Sequence, residues 1–334
     1  MVQAAWTRFA HKAVIDQAHV RPGEVFTVLT DDRISPEIAK AVFEVGLTQT
    51  RECQLLVIRA AHYSEEPVHL NQAVAMALKE SDVVLVVSET RTGQIPEVHA
   101  AQKAGTRFLL TEPEDHTSFL IDGLINLDYD KMLGNVRLFC DLWREGQSCK
   151  ITSDVETNLE FEVGNRPVYV SPGAVSKPGE LDWFPGAMAN VAPIETSING
   201  TIAVDGSVFP YGVAEENVLI ELEKGVITNI SGGSLAMRFR AWLASLDDEV
   251  VYRLCHVSVG FNPRAEMTGA IMEDERCLGA ITIGFGRQPS SLGGAIKGGE
   301  HHVDVILRPP TIVAGNKTLL KDNEFNPELG FIAL

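Results

Sequence analysis

The segment Gly299-Glu300-His301-His302-Val303-Asp304-Val305-Ile306-Leu307 leaves a glycine-rich stretch and enters an apolar run. On a strand, successive side chains alternate faces, so His302 and Asp304 project together while Val303 and Val305 face the other way. An imidazole and a carboxylate placed this way form a two-ligand edge for a metal. A carboxylate buried there needs a charged companion, because an isolated charge is expensive in an apolar interior. Chance pairing on a strand is the plain alternative. His256 sits in Arg253-Leu254-Cys255-His256-Val257-Ser258-Val259-Gly260, a second apolar strand, which ends in Gly-Phe-Asn-Pro. A buried histidine needs a partner, so His256 is either a satisfied core residue or a ligand. If the two runs are neighbouring strands, His256, His302 and Asp304 make the two-histidine, one-carboxylate face of non-haem Fe(II) enzymes, with positions left for O2 and substrate. Zinc takes the same three ligands plus water.

Other candidates are weaker. Glu195, in Ala192-Pro-Ile-Glu-Thr-Ser, precedes an expected hairpin turn at Asn199-Gly200 and is either a catalytic base or amine contact or a solvated loop residue. Lys177 to Gly186 carries Trp183 and Phe184 among turn formers, a pattern that covers a planar substrate or anchors a loop to a core. Arg264 and Arg287 are candidates for pairing with a substrate carboxylate or oxyanion, since guanidinium matches that geometry; a structural role is the alternative for each. His11, His19, His62, His69, His99 and His116 read as surface or packing residues.

The elements that must position these groups fall into two halves. In residues 1–149, a helix is expected over Ala4 to Val20, with others over Ile34–Val45, Asn71–Lys79 and Pro96–Lys103. Strands are expected over Val25–Thr30, Gln54–Arg59, Val83–Val87 and Arg107–Thr111, and His116 to Gly146 reads as mostly helical. Strands alternating with helices predict an α/β domain with a parallel sheet. The turn after Leu29 reads Thr-Asp-Asp-Arg and has no glycine cradle for a dinucleotide. From about Lys150, turn signals become dense at Asn199-Gly200, Asp205-Gly206, Lys224-Gly225 and Gly232-Gly233, with alternating runs such as Val218–Glu223 between them. A short helix is expected near Arg238–Leu246. Residues 150–334 are therefore read as a β-rich α+β domain that carries the metal candidates.

Composition narrows the functional class. The chain has 334 residues, 45% hydrophobic, and a net charge of −17. That acidity argues against nucleic acid, whose affinity comes from neutralising phosphates with basic side chains, and against an anionic membrane. No apolar run approaches membrane-spanning length. The five cysteines form no CxxC pair, so neither a disulfide framework nor a thiolate zinc site is suggested. A cytoplasmic protein is the expectation.

Several stretches carry a resemblance. Pro193-x-Glu195, the strand ending Gly-Phe-Asn-Pro, Leu278-Gly-Ala-Ile-Thr-Ile-Gly, Gly-Gly and His302-x-Asp304, in that order, resemble the aminopeptidase T family of metallopeptidases. Arg21-Pro-Gly-Glu and Asp31-Asp-Arg-x-x-Pro at the front also fit. Those peptidases hold two metals, with a glutamate where this chain has His256 and a histidine where it has Thr282, whereas His302, Asp304 and Glu195 match. The swapped pattern is similar to a divergent branch of that superfamily, the 2,5-dihydroxypyridine 5,6-dioxygenases. Lys177-Pro-Gly-Glu-Leu-Asp-Trp, Ile220-Glu-Leu-Glu-Lys-Gly-Val-Ile-Thr, His256 with Asn262-Pro-Arg-Ala, and His302-Val-Asp304 carry that likeness.

The resemblance implies Fe(II) held by His256, His302 and Asp304, O2 and a hydroxylated aromatic or N-heterocycle as substrates, extradiol-type ring cleavage, and a homo-oligomer. Trp183 stands where the branch has an active-site histidine, and Ser171 where it has an acidic residue, so specificity is expected to differ there. The alternative is an aminopeptidase-like hydrolase that cleaves an amide with one zinc and Glu195 as base.

Overall fold

The computed structural model describes residues 2–61, 68–112 and 127–334. His62, His116 and the front of the expected His116–Gly146 helical stretch lie outside the described residues. Two compact units are present: residues 1–127 with 171–186, and residues 128–170 with 187–334.

The first unit is built on a five-stranded sheet in the order Cys53–Ile58, Phe26–Asp31, Val83–Val87, Arg107–Thr111, Leu181–Trp183. Every pairing in it is parallel. Parallel sheets are covered on both faces, which is why Phe26–Asp31, Val83–Val87 and Arg107–Thr111 read as unbroken buried runs. The expected helices are present as Val2–His11, continued by a π-helical turn Lys12–Gln17, and as Pro36–Gln49, Gln72–Lys79 and Pro96–Ala104. The fifth strand was not legible in sequence. Leu181–Trp183 is only three residues long and pairs with Arg107–Thr111 across a long sequence separation. The aromatic segment thus anchors to a sheet edge.

The second unit is antiparallel. Helix Tyr129–Gly146 is capped by the Asp128 carboxylate, which accepts from the Lys131 amide at 3.1 Å, and buries Met132, Val136, Phe139 and Trp143 at helical spacing. One sheet has eight strands, in the order Val226–Gly232, Val218–Glu223, Asn199–Val204, Asn158–Glu162, Ser148–Thr152, Thr311–Ala314, Lys317–Lys321, Glu324–Phe325. Lys224-Gly225 makes the expected hairpin turn, both residues at positive φ (49° and 75°) as a type I′ turn requires. Asn199-Gly200 does not turn. It begins strand Asn199–Val204 and pairs with Asn158–Glu162, which approaches so closely that a Cβ on Gly200 would sit 2.0 Å from the Asn158 carbonyl oxygen. The Asn-Gly signal here marks close backbone approach. The expected short helix runs earlier than predicted, Ser234–Ser245.

The other sheet has seven strands, in the order Gly212–Val213, Ser207–Val208, His302–Leu307, Ile281–Gly286, Leu254–Gly260, Met188–Val191, Val168–Ser171. Its central strands have two unlike faces. In register, Val257, Ile283 and Val305 lie side by side on one face, with Phe285 opposite Val303. The other face carries Asn190, Ser258 and Thr282 in one row and His256, Gly284 and Asp304 in the next.

Candidate metal centre

His302 and Asp304 project from one face of strand His302–Leu307, as the period of two requires. His256 reaches them, but not from a neighbouring strand. Strand Ile281–Gly286 runs between, and Gly284 pairs with His256 on one side and with Asp304 on the other. Two local features make the reach work. A β-bulge lies between Leu254, opposite Phe285, and His256, opposite Gly284, so that Cys255 is the extra residue. Without it, Leu254 and His256 would share a face; with it, Leu254 stays opposite Phe285 and His256 turns to the polar side. Gly284 then leaves the path open. A Cβ there would lie 2.2 Å from His256 Nε2 and 2.3 Å from its Cδ2.

Three atoms converge as a result. His256 Nε2 and His302 Nε2 are 3.2 Å apart, and Asp304 Oδ1 lies 3.3 Å from the first and 3.2 Å from the second. The two imidazole rings are nearly parallel, 6° between planes with centroids 5.1 Å apart. The far nitrogens are committed elsewhere. His302 Nδ1 lies 2.8 Å from the Arg287 carbonyl, which only accepts, so the ring donates from Nδ1. His256 Nδ1 lies 3.0 Å from Ser258 Oγ. With both rings neutral and donating from Nδ1, lone pairs on both Nε2 atoms and a carboxylate oxygen would share one point, an arrangement that repels itself unless a positive charge occupies it.

The electrostatics agree. Burial alone would push the His302 imidazolium down, but the Asp304 carboxylate, with a smaller contribution from Cys255, overrides this and holds its pKa well above the ordinary value. Burial alone would raise Asp304, yet His302 and His256 hold it well below the usual carboxylate range. In the metal-free chain, both shifts favour a proton held by the His302–Asp304 pair. The donor set also fits a first-row metal: bonds of about 2.1 Å to one ion put neighbouring donor atoms about 3 Å apart, close to the triangle seen.

A further sulfur lies near. Cys255 Sγ and ring nitrogens of His256 and His302 are all within 4.8 Å of one another. It sits 3.7 Å from His302 Nδ1, on the outer side of that ring, and burial pushes its thiol pKa up. Cys255 was not singled out from sequence, nor were Ser258, Asn190 or Gly284. The spacing of Ser258, two residues beyond His256, was the available signal.

Glu195 opens a short 3-10 turn, Glu195–Ser197. Its Oε2 accepts from Arg166 Nη2 at 2.5 Å, and its Oε1 accepts from the Ala295 amide at 2.6 Å and Gln288 Nε2 at 3.4 Å. Burial would raise its pKa, but the Ala295 amide, its own amide, Arg166 and Gln288 together hold it low. Gln288 Nε2 also donates to the Cys255 carbonyl at 2.8 Å, so Glu195 braces the loop that follows Gly286. Arg287 acts on His302 through its main chain, and Arg264 is exposed. In the first unit, Ser171 Oγ donates to Asp182 Oδ1, and Trp183 Nε1 donates to Glu112 Oε2 at 3.1 Å.

A family model described as NicX: 2,5-dihydroxypyridine 5,6-dioxygenase matches residues 6–325. The chain belongs to the NicX family. By family it is an enzyme, a ring-cleaving dioxygenase. A curated relative, 2,5-dihydroxypyridine 5,6-dioxygenase from Pseudomonas putida, is 27% identical over 261 residues, spanning 75% of this chain and 72% of the relative. The solved structure of 2,5-dihydroxypyridine dioxygenase from Pseudomonas putida KT2440 superposes with a TM-score of 0.83 at 22% identity, covering 97% of each chain. AmpT from Thermus thermophilus superposes with a TM-score of 0.67 at 14% identity, covering 97% of this chain and 100% of that one. At these identities the two structures speak for the fold, which this NicX-family chain shares with both.

Proposed function

We propose that this NicX-family chain is a mononuclear Fe(II) dioxygenase that opens a hydroxylated N-heterocycle or related aromatic, such as 2,5-dihydroxypyridine, by extradiol-type cleavage. His256 Nε2, His302 Nε2 and Asp304 Oδ1 would hold the iron. The observation that carries the reading is their triangle, 3.2–3.3 Å on each side, with both imidazoles turned so that their second nitrogen is already engaged. Bound iron would supply the electron exchange between O2 and an electron-rich ring, chemistry that no protein side chain provides.

The chain's own residues supply position and field. Asp304 brings the negative charge that draws a cation in, and the Arg287 carbonyl fixes the His302 ring. Glu195, paired with Arg166 and held well ionised, is a positioning residue. It anchors the Ala295 amide and Gln288, and through Gln288 the Cys255 carbonyl beside His256. The hydrolase alternative draws no support here, because the carboxylate it would use as base is held low in pKa and saturated with donors. The protein is further proposed to be cytoplasmic and a homo-oligomer. Five free cysteines suit a reducing compartment, and light scattering reads the assembly.

The test is metal content of anaerobically purified protein, together with O2 uptake on adding 2,5-dihydroxypyridine. One iron per chain with substrate-dependent O2 consumption is expected. Zinc at full occupancy with no O2 uptake would overturn the proposal.

A further inference from the structure

The two histidines of the triangle are held by unlike means. His302 donates to a main-chain carbonyl, Arg287 O, which no substitution at 287 removes. His256 depends on side chains. Its Nδ1 meets Ser258 Oγ at 3.0 Å, and Ser258 Oγ meets Asn190 Oδ1 at 2.7 Å. Asn190 lies opposite Ser258 on the adjoining strand, and its Nδ2 faces two carbonyls, Tyr169 O and Met188 O, each at 3.3 Å.

The direction of every bond in this row follows from its far end. Carbonyls only accept, so the Asn190 amide nitrogen must face them, and Oδ1 must face Ser258. Oδ1 only accepts, so the Ser258 hydroxyl proton is spent on it. Ser258 Oγ can then only accept from His256, which places the imidazole proton on Nδ1 and the lone pair on Nε2. The opposite tautomer would aim an N–H into the triangle and set the Nδ1 lone pair against the Ser258 lone pairs. Ser258 is fully buried, so solvent does not substitute for it.

We propose that Ser258 and Asn190 are positioning residues of the metal centre, which set His256 in its ligating tautomer before any metal arrives and so tune metal affinity. This rests on the reading of His256 as a ligand. The general consequence of losing such an outer partner is a drop of about 10–100-fold in metal affinity. Ser258→Ala removes the acceptor. Asn190→Leu acts differently: it frees the Ser258 proton to turn towards Nδ1, which favours the Nε2–H tautomer.

The experiment uses the full chain with 15N-labelled histidine, metal-free, at a pH where His256 is neutral, and then anaerobic Fe(II) titration. The wild type is expected to show His256 protonated at Nδ1. Asn190→Leu is expected to shift it towards Nε2–H, and both variants to bind Fe(II) about 10–100-fold more weakly, with thermal unfolding of the metal-free chain little changed. Ser258→Thr, which keeps the hydroxyl, is expected to restore affinity. A wild-type His256 protonated at Nε2, or variants with unchanged tautomer and unchanged Fe(II) affinity, overturns the relay alone. Absence of Fe(II) binding by the wild type overturns the ligand reading, and with it the proposed tuning, while the nitrogen resonances still report the tautomer separately.

Discussion

Asp31 and Asp304 are both buried aspartates on sheet strands, and they keep opposite company. Asp31, at the end of strand Phe26–Asp31 in the first unit, is surrounded by donors. Its Oδ2 accepts from Ser88 Oγ at 2.7 Å, the Thr90 amide at 3.0 Å and Thr90 Oγ1 at 3.1 Å, and its Oδ1 from the amides of Arg33 and Ile34. Glu112 in the same unit is met likewise by the Thr92 amide and hydroxyl, the Gly93 amide and Trp183 Nε1. These carboxylates tie loops to strand ends. Asp304 Oδ1 instead meets two imidazole nitrogens whose other nitrogens are already engaged. A buried carboxylate held by fixed amide and hydroxyl donors is structure; one that meets ring nitrogens able to give up a proton and become acceptors is a place for a cation. Burial alone does not separate the two.

The sharpest way to break this contrast is to remove one group from each. His302→Ala is expected to abolish stoichiometric metal binding and activity while the chain stays folded. Metal retained at the wild-type ratio in that variant excludes His302 as a ligand. Asp31→Asn is expected to do the reverse. Its amide would face donors, costing about 1–3 kcal/mol in urea unfolding, with metal content per folded chain unchanged.

Next in size is Gly284→Val. Its Cβ would occupy the space of the His256 ring, 2.2 Å from Nε2. The triangle should open, with metal binding lost and about 1–3 kcal/mol of stability removed by overpacking. A valine variant that binds metal normally would show that His256 approaches by another path.

Proton release is a subtler measure. The pKa of His302 is raised by the Asp304 carboxylate, which favours the protonated ring in the metal-free chain, and metal must displace that proton. About one proton released per metal is expected near pH 7, read by calorimetry in buffers of different ionisation enthalpy. The stability of the metal-free chain should follow the same pair. The contribution of Asp304 is present above its unfolded value near 3.8 and is lost as pH falls through its lowered folded value. The contribution of His302 is fully present below its unfolded value near 6.5 and is lost as pH rises through its raised folded value. The smallest effect expected is from Trp183→Phe, which removes one hydrogen bond to Glu112 and should cost about 1 kcal/mol without altering metal content.

Much of this was legible in the chain itself. Unbroken apolar runs separated by helical stretches specify a parallel sheet, because strands covered on both faces have no polar side to show. Period-two alternation places His302 and Asp304 together without any knowledge of the fold. Lys224-Gly225 turns where its backbone freedom allows. Other features depend on partners distant in sequence. Leu181–Trp183 becomes a strand only because Arg107–Thr111 offers it an edge, and Asn199-Gly200 extends only because Asn158–Glu162 lies against it. His256 joins the triangle through a bulge that reverses the local alternation and a glycine on an intervening strand that clears its path. Its tautomer is set by an asparagine on yet another strand. Alternation along a strand is a local property of backbone geometry, and so can be read residue by residue. Which strands lie side by side, where one carries an extra residue, and which side chain is missing across the gap are properties of the assembled sheet, and those decided where the three acceptors meet.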